Sequence, residues 1–157
     1  MCQAKFLPPC HRYLPTFPIT HIGFSIPYAR QFLHVPNISF NLLQVSLMGP
    51  LGSSFLRDTK QLNRPLMVWT VNDEYMMKWA IRKGVDGVIS DDPKKFLQVC
   101  QDWTQGKREM RLTARQLLSV LWFNLMVFLF GLVFWWKHGR QSQIPARRSV
   151  RAKAPTG

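Results

Sequence analysis

No carboxylate occurs between Met1 and Arg57, and none follows Glu109. A hard divalent cation takes several oxygen ligands, and general acid–base chemistry draws mostly on His, Asp and Glu. The first third of the chain therefore cannot supply a carboxylate-held cation. Cysteine is scarce as well. Cys2, Cys10 and Cys100 fit no metal spacing and no even-numbered disulfide framework, which predicts free thiols in a reducing compartment. The N-terminus lacks an uninterrupted apolar stretch, because prolines break MCQAKFLPPCHRYLPTFP, so it does not read as a signal peptide.

Charge is missing from one further place. From Gln116 to Trp136 there is no charged residue, and the run continues LLSVLWFNLMVFLFGLVFWW after its glutamine. About 20 residues at ~1.5 Å rise each span ~30 Å, the thickness of a bilayer's hydrocarbon core. Lys107, Arg108, Arg111 and Arg115 precede the run, and Lys137, His138 and Arg140 follow it. The reading is a single-pass transmembrane helix near the C-terminus. Positive charge on both sides leaves its orientation open. A buried core helix is the first alternative, against which the length of the run and its border tryptophans count. An interfacial amphipathic helix is the second, although the run has no polar face.

The formal net charge is +13, and most of the excess flanks this run. That placement suits anionic lipid head groups, at about 1 kcal/mol per basic residue near the surface, or simply a solvated flank. No nucleic-acid partner is expected, since the tail RRSVRAKAPTG has no aromatic interleaving and no folded reader attached.

Along the chain, residues 1–18 read as an irregular, Pro- and aromatic-rich segment. From Ile19 short apolar runs alternate with helix-like segments, the pattern of βα units. ITHIGFS (19–25) is a predicted strand, and Pro27 opens a short helix. ISFNLLQVSL (38–47) is a second strand, followed by a helix over 51–62. LMVWTVN (66–72) reads as a strand buried on both faces. Asn72 or Asp73 then caps a helix that Gly84 stops. GVDGVIS (84–90) is a short last strand, and Asp92 with Pro93 opens a helix that fades near Trp103. The organisation is thus 1–18 irregular, 19–103 a domain of about four βα units, 104–115 a basic juxtamembrane linker, 116–136 a transmembrane helix and 137–157 a basic disordered tail.

The stretch VWTVNDEYMMKWAIRKGVDGVISDDPKKFLQVC resembles the glycerophosphodiester phosphodiesterase family, in which a strand like VWTVN, a helix and a strand with GVDGVIT-D-P end the barrel. ITHIGFS…YARQFL and ISFNLLQVSLMGPLG look like that family's fungal phosphatidylglycerol phospholipase C branch. The resemblance covers roughly residues 19–103. It implies an α/β fold, a partial (β/α)8 TIM barrel of about four C-terminal βα units followed by the transmembrane helix. It also implies phosphoric diester hydrolysis of a glycerophospholipid in the full family.

In a barrel of this kind the active site lies at the C-terminal ends of the strands, which are here Trp69 to Asn72 and Ser90 to Asp92. By resemblance Trp69 contacts the lipid head group or glycerol. Its other reading is a core aromatic on a buried strand. Asp91 and Asp92 lie near such a pocket, though Asp92 reads equally as a helix cap, as do Asn72 and Asp73. Lys94 and Lys95 read as solvated. The family's chemistry implies a divalent cation, Mg or Ca, held by a Glu-x-Asp pair and a later glutamate, with an early His-Arg motif and a second histidine. This chain shows none of these. His11-Arg12 has no preceding strand and no acidic partners, and His21 and His34 are isolated. No catalytic and no metal-binding residue is therefore assigned, and the chain itself holds no cofactor. The expected partners are membrane lipids. Self-association of a half barrel with open edges is a further expectation.

Overall fold

The computed structural model describes residues 6–107 and 113–138. Its strands β1 (Ile19–Gly23), β2 (Ile38–Leu43), β3 (Leu66–Trp69) and β4 (Gly87–Val88) form one parallel sheet in that order. Helix α1 (Leu7–Tyr13) precedes β1. Helix α2 (Ile26–Arg30) joins β1 to β2, and α3 (Gln44–Leu47) with α4 (Pro50–Gln61) joins β2 to β3. Helix α5 (Glu74–Lys83) joins β3 to β4, and α6 (Pro93–Thr104) and α7 (Ala114–His138) follow. The expected α/β class and parallel pairing hold. Four βα units with sequential strand order are consistent with part of a (β/α)8 barrel.

Side-chain alternation decides where the core sits. Ile38, Phe40 and Leu42 on β2 and Leu66 and Val68 on β3 are buried against Phe32 beyond α2, Phe55 on α4 and Met77 and Ala80 on α5. Phe40 and Phe55 meet edge to face with ring centres 5.2 Å apart. Arg30 ties α2 to α4 through Asp58 at 2.6 Å and Ser54 at 2.9 Å. The opposite face of the sheet carries Thr20, Ile22, Ser39, Asn41, Met67 and Trp69; Ile22 is 47 % exposed, whereas Asn41 is buried. The Thr20 and Ser39 hydroxyls pair there at 2.7 Å. The expectation that LMVWTVN is buried on both faces is therefore corrected within β3. Leu66 and Val68 are buried, while Met67 and Trp69 are half-buried. In a closed barrel, strands across the ring fill this face with side chains; four strands provide nothing opposite.

Several boundaries also differ from the sequence expectation. The strand predicted over 38–47 stops at Leu43, and Gln44–Leu47 turns into α3. Polar side chains account for the break. Gln44 donates its amide to the Met76 carbonyl at 2.7 Å, and Ser46 closes back on the Leu43 carbonyl at 2.7 Å. A buried helical turn hides apolar residues as well as a strand does, so hydrophobicity alone does not separate the two. Leu7–Tyr13 is helical where an irregular segment was expected. Its prolines sit in the first turn, where a missing N–H removes no helical hydrogen bond. The strand predicted over 84–90 narrows to Gly87–Val88, because Gly84 is still the left-handed cap of α5 (φ 59°). Asp86 next spends its carboxylate on the Leu66 N–H at 2.8 Å. The expected caps are present: Asp73 accepts from Tyr75 N–H, and Asp92 accepts from Lys95 N–H with Pro93 at the first turn.

Among the residues whose burial is described, His21 is the one histidine in the core. It is 1 % exposed and stacks on Phe32 at 4.6 Å, and neither ring nitrogen has a hydrogen-bond partner among the described residues. Burial disfavours the imidazolium and lowers its pKa from 6.5 to about 4. Between those values the unfolded chain binds the proton more readily, so stability rises with pH across the window. The contribution is fully present above the unfolded pKa and declines as pH falls toward 4, by ~3 kcal/mol in all. Urea titrations across this window should show that slope, and His21→Phe should flatten it.

Helix α7 begins at Ala114, within the stretch read as linker, and runs to His138. Residues 108–112 of that linker and 139–157 of the basic tail lie outside the described residues. Residues Ala114–Val133 are long and apolar enough to cross a membrane, and 6 % of that stretch is buried. The helix nevertheless touches the domain. Gln116 donates to both carboxylate oxygens of Asp73 at 3.1 Å, and Asn124 donates to the Val45 carbonyl at 3.2 Å. Val120 is buried between these two points.

Candidate functional site at the strand ends

Parallel strands place all their C-terminal ends on one side, where the loops gather. Here that side carries Trp69 to Asn72 after β3 and Ile89 to Asp92 after β4. The sheet continues past the regular strand, since Ile89 N–H donates to the Val68 carbonyl and Val71 N–H to the Ile89 carbonyl. Trp69 lies at the last position of β3, half-buried on the open face. Its indole Nε1 donates to the Asn41 carbonyl at 3.2 Å, which lays the ring back across the neighbouring strand. The arrangement contains elements of both sequence readings. The indole N–H is satisfied internally, and part of the ring faces the open side.

Asn72 joins the two motif loops. Its amide nitrogen donates to Asp91 Oδ2 at 2.6 Å, and its carbonyl oxygen accepts from Asp91 N–H at 3.0 Å and from Ser90 Oγ at 3.2 Å. Its main-chain carbonyl accepts from Lys95 Nζ at 3.1 Å. Sequence reasoning took Asn72 for a possible helix cap and Lys95 for a solvated charge. The cap is Asp73 alone, and Asn72 and Lys95 clamp the VWTVN loop to the GVDGVISDD loop. The paired occurrence of the two motifs was the signal available for this contact.

Two buried amides were missed because they lie inside an apolar run. Gln44 is 1 % exposed and its Oε1 has no partner among the described residues; Asn41 is 9 % exposed and its Oδ1 has none either. Both belong to the β2–α3 segment beside Trp69.

The carboxylates near the strand ends do not converge. Asp73 caps α5 and accepts from Gln116, Asp91 accepts from Asn72, and Asp92 caps α6. Among the described residues no group of three or more His, Cys, Asp or Glu side chains is placed to hold a metal ion. His21 points into the core, away from these loops, and His11 sits in the last turn of α1. The divalent cation implied by the resemblance finds no matching set of oxygens among the described residues. Among the described residues Cys10 and Cys100 are unpaired, and Cys2 lies outside them.

Sequential parallel βα units with paired motif loops at the strand ends make an α/β scaffold consistent with part of a barrel. The description of the glycerophosphoryl diester phosphodiesterase family matches residues 3–95, more than half of the chain, and the protein belongs to that family. The match starts ahead of Ile19, so the segment bearing α1 falls within it. No curated protein and no solved structure matches the chain.

Proposed function

We propose that this is a membrane-anchored member of glycerophospholipid metabolism, related to the fungal phosphatidylglycerol phospholipase C branch. It carries the later strands of the family barrel and does not hydrolyse phosphodiesters alone. The observation that carries this reading is the use of the strand-end carboxylates. Each is engaged in a cap or a loop clamp, and no acid precedes Asp58 to replace them. Anchoring is supported by the apolar length of α7, the small buried share of its Ala114–Val133 stretch and its basic flanks. Residual recognition of a glycerophosphodiester head group falls to Trp69.

Trp69→Ala is expected to weaken binding of glycerophosphoglycerol at least ~10-fold, a difference of ~1.4 kcal/mol. Trp69→Phe should retain most of the affinity, since the open ring face does the contacting. Calorimetric titration reads both, and equal affinity in all three proteins would assign Trp69 to packing only.

A non-enzymatic role is the second reading, in which the half barrel pairs with another half. It is favoured by the edges of β1 and β4, which have no neighbour in the four-stranded sheet. Sedimentation in detergent separates the readings, because a stably folded monomer argues against pairing.

A further inference from the structure

Helix α7 touches the domain along one stripe. Gln116, Phe123, Asn124 and Val127 are half-buried and Val120 is buried, at spacings of three and four residues that share a helix face. The domain partners of Gln116 and Asn124 lie at the C-terminal ends of the strands. Asp73 follows β3, and Val45 follows β2. Gly49, just before α4, lies so close that an added Cβ would stand 3.2 Å from Asn124 Oδ1. The opposite face of the same segment is apolar and open, with Leu118 66 %, Trp122 64 % and Leu121 59 % exposed. From Phe128 to Val133 every residue is exposed.

Geometry then limits what the helix can do while docked. Beyond Val127 the helix has only the residues up to His138, a length of about 16 Å at ~1.5 Å per residue. A hydrocarbon core is ~30 Å thick. The free end reaches about one leaflet. Crossing the bilayer would require the stripe from Gln116 to Val127 to leave the domain, breaking the Gln116–Asp73 and Asn124–Val45 hydrogen bonds and uncovering Val120. The Asn124 side chain, left with only its own helix's Val120 carbonyl, would then enter hydrocarbon, where a polar side chain is costly.

The rim of the strand ends matches an apolar environment. Leu51 in the first turn of α4 is 57 % exposed, Ile89 after β4 is 45 % and Phe24 after β1 is 37 %. These three follow three different strands, Phe24 after β1, Leu51 after β2 and α3, and Ile89 after β4, at the end of the sheet where α7 lies. Arg115 at the start of α7 and Lys107 are exposed, and Arg108 and Arg111 lie between them in sequence. Basic residues beside an apolar surface fit an anionic lipid head-group layer.

We propose that the strand-end face itself rests on an anionic bilayer, with α7 held between domain and lipid and its end embedded in one leaflet. The helix does not carry the chain across. This rests on the membrane reading above and deepens it. The face that carries Trp69 and the two motif loops is turned toward lipid head groups, so a head group reaches it without leaving the bilayer.

The test uses the full chain with its cysteines changed to serine and single cysteines introduced at Leu51, Ile89 or Leu62, each bearing an environment-sensitive fluorophore. Leu62 ends α4 at the opposite end of the sheet and is 40 % exposed, so it serves as the reference. Sealed vesicles of phosphatidylcholine, with and without phosphatidylglycerol, are the probe. Emission from the Leu51 and Ile89 sites is expected to rise several-fold and shift to the blue on phosphatidylglycerol vesicles, with little change at Leu62. External protease should remove a C-terminal tag. Quenching of Trp122 by brominated lipid, read against Trp122→Phe, gives a parallel result with native cysteines in place. Binding with a protected tag, or with equal response at Leu62, leaves anchoring intact and overturns the face-on arrangement. Failure to bind vesicles at all removes anchoring itself. Responses that grow with protein concentration in the absence of vesicles identify a second copy as the occupant and also overturn the proposal.

Discussion

Purified protein incubated with phosphatidylglycerol or glycerophosphodiesters and magnesium or calcium is expected to release no phosphomonoester above the protein-free control. Enzymes of phosphodiester hydrolysis accelerate reactions by many orders of magnitude, so the predicted effect is close to complete loss relative to an intact family member. The reason lies in the ligands. A hard cation binds where several oxygens converge, and the four acids nearest the strand ends, Asp73, Glu74, Asp91 and Asp92, do not converge. Asp73 and Asp92 are bound to helix N-termini, Asp91 to Asn72, and Glu74 to Lys78 at 2.8 Å. Recruiting Asp73, Asp91 or Asp92 to a cation would break a cap worth about 1 kcal/mol or the clamp between the motif loops. Phosphate release by coupled assay reads the outcome. Turnover that requires the added cation and disappears in Asp91→Asn would show that these carboxylates do assemble, and would sink the reading.

Gly52→Ala is expected to unfold or severely destabilise the domain. In an exposed helix interior the same change stabilises by up to about 1 kcal/mol, since alanine is the better helix former. Here the sign reverses. A Cβ at Gly52 would stand 2.3 Å from the Cα and the carbonyl oxygen of Leu47, at a distance real Cβ atoms do not tolerate. The obstruction is backbone, not the end of a flexible side chain, so α3 and α4 must separate. Leu47 and Phe55, both fully buried, would separate with them. Overpacking of this kind costs about 1–3 kcal/mol and sometimes more. For a domain of ~100 residues that lowers the melting temperature by roughly 4–8 °C for each kcal/mol. Gly131→Ala is the matched control, because nothing lies within 4 Å of its added Cβ. Thermal melts of the two variants should differ in direction or nearly so. Equal melting temperatures would mean that α3 and α4 are not packed as closely as described.

The sequence was most informative where local chemistry and long-range packing agree. Asp73 and Gly84 bracket α5, and Asp92 with Pro93 opens α6, because caps and left-handed stops are set by a residue and its near neighbours. The motif pair VWTVN and GVDGVISDD was legible as a family signature, and the family match bears that out. It was less legible as a contact. That Asn72 holds Asp91 and Ser90 depends on β3 and β4 lying side by side, a relation no window of sequence contains. Gln44 shows the converse failure. Set in ISFNLLQVSL, it looked like one polar position on a strand; its reach to Met76 on α5 ends the strand there.

By itself, the amino-acid order determined the alternation of strand and helix, the caps, the scarcity of carboxylates and the uncharged run near the C-terminus. These follow from residue type and spacing, which act over one or two helical turns. Only the tertiary arrangement decided that one sheet face stays open, that His21 is a core residue with a depressed pKa, and that α7 lies against the strand ends. Those depend on which surfaces meet, and a side chain far along the chain, such as Asn124 on Val45, settles that through contacts that short-range pattern cannot encode.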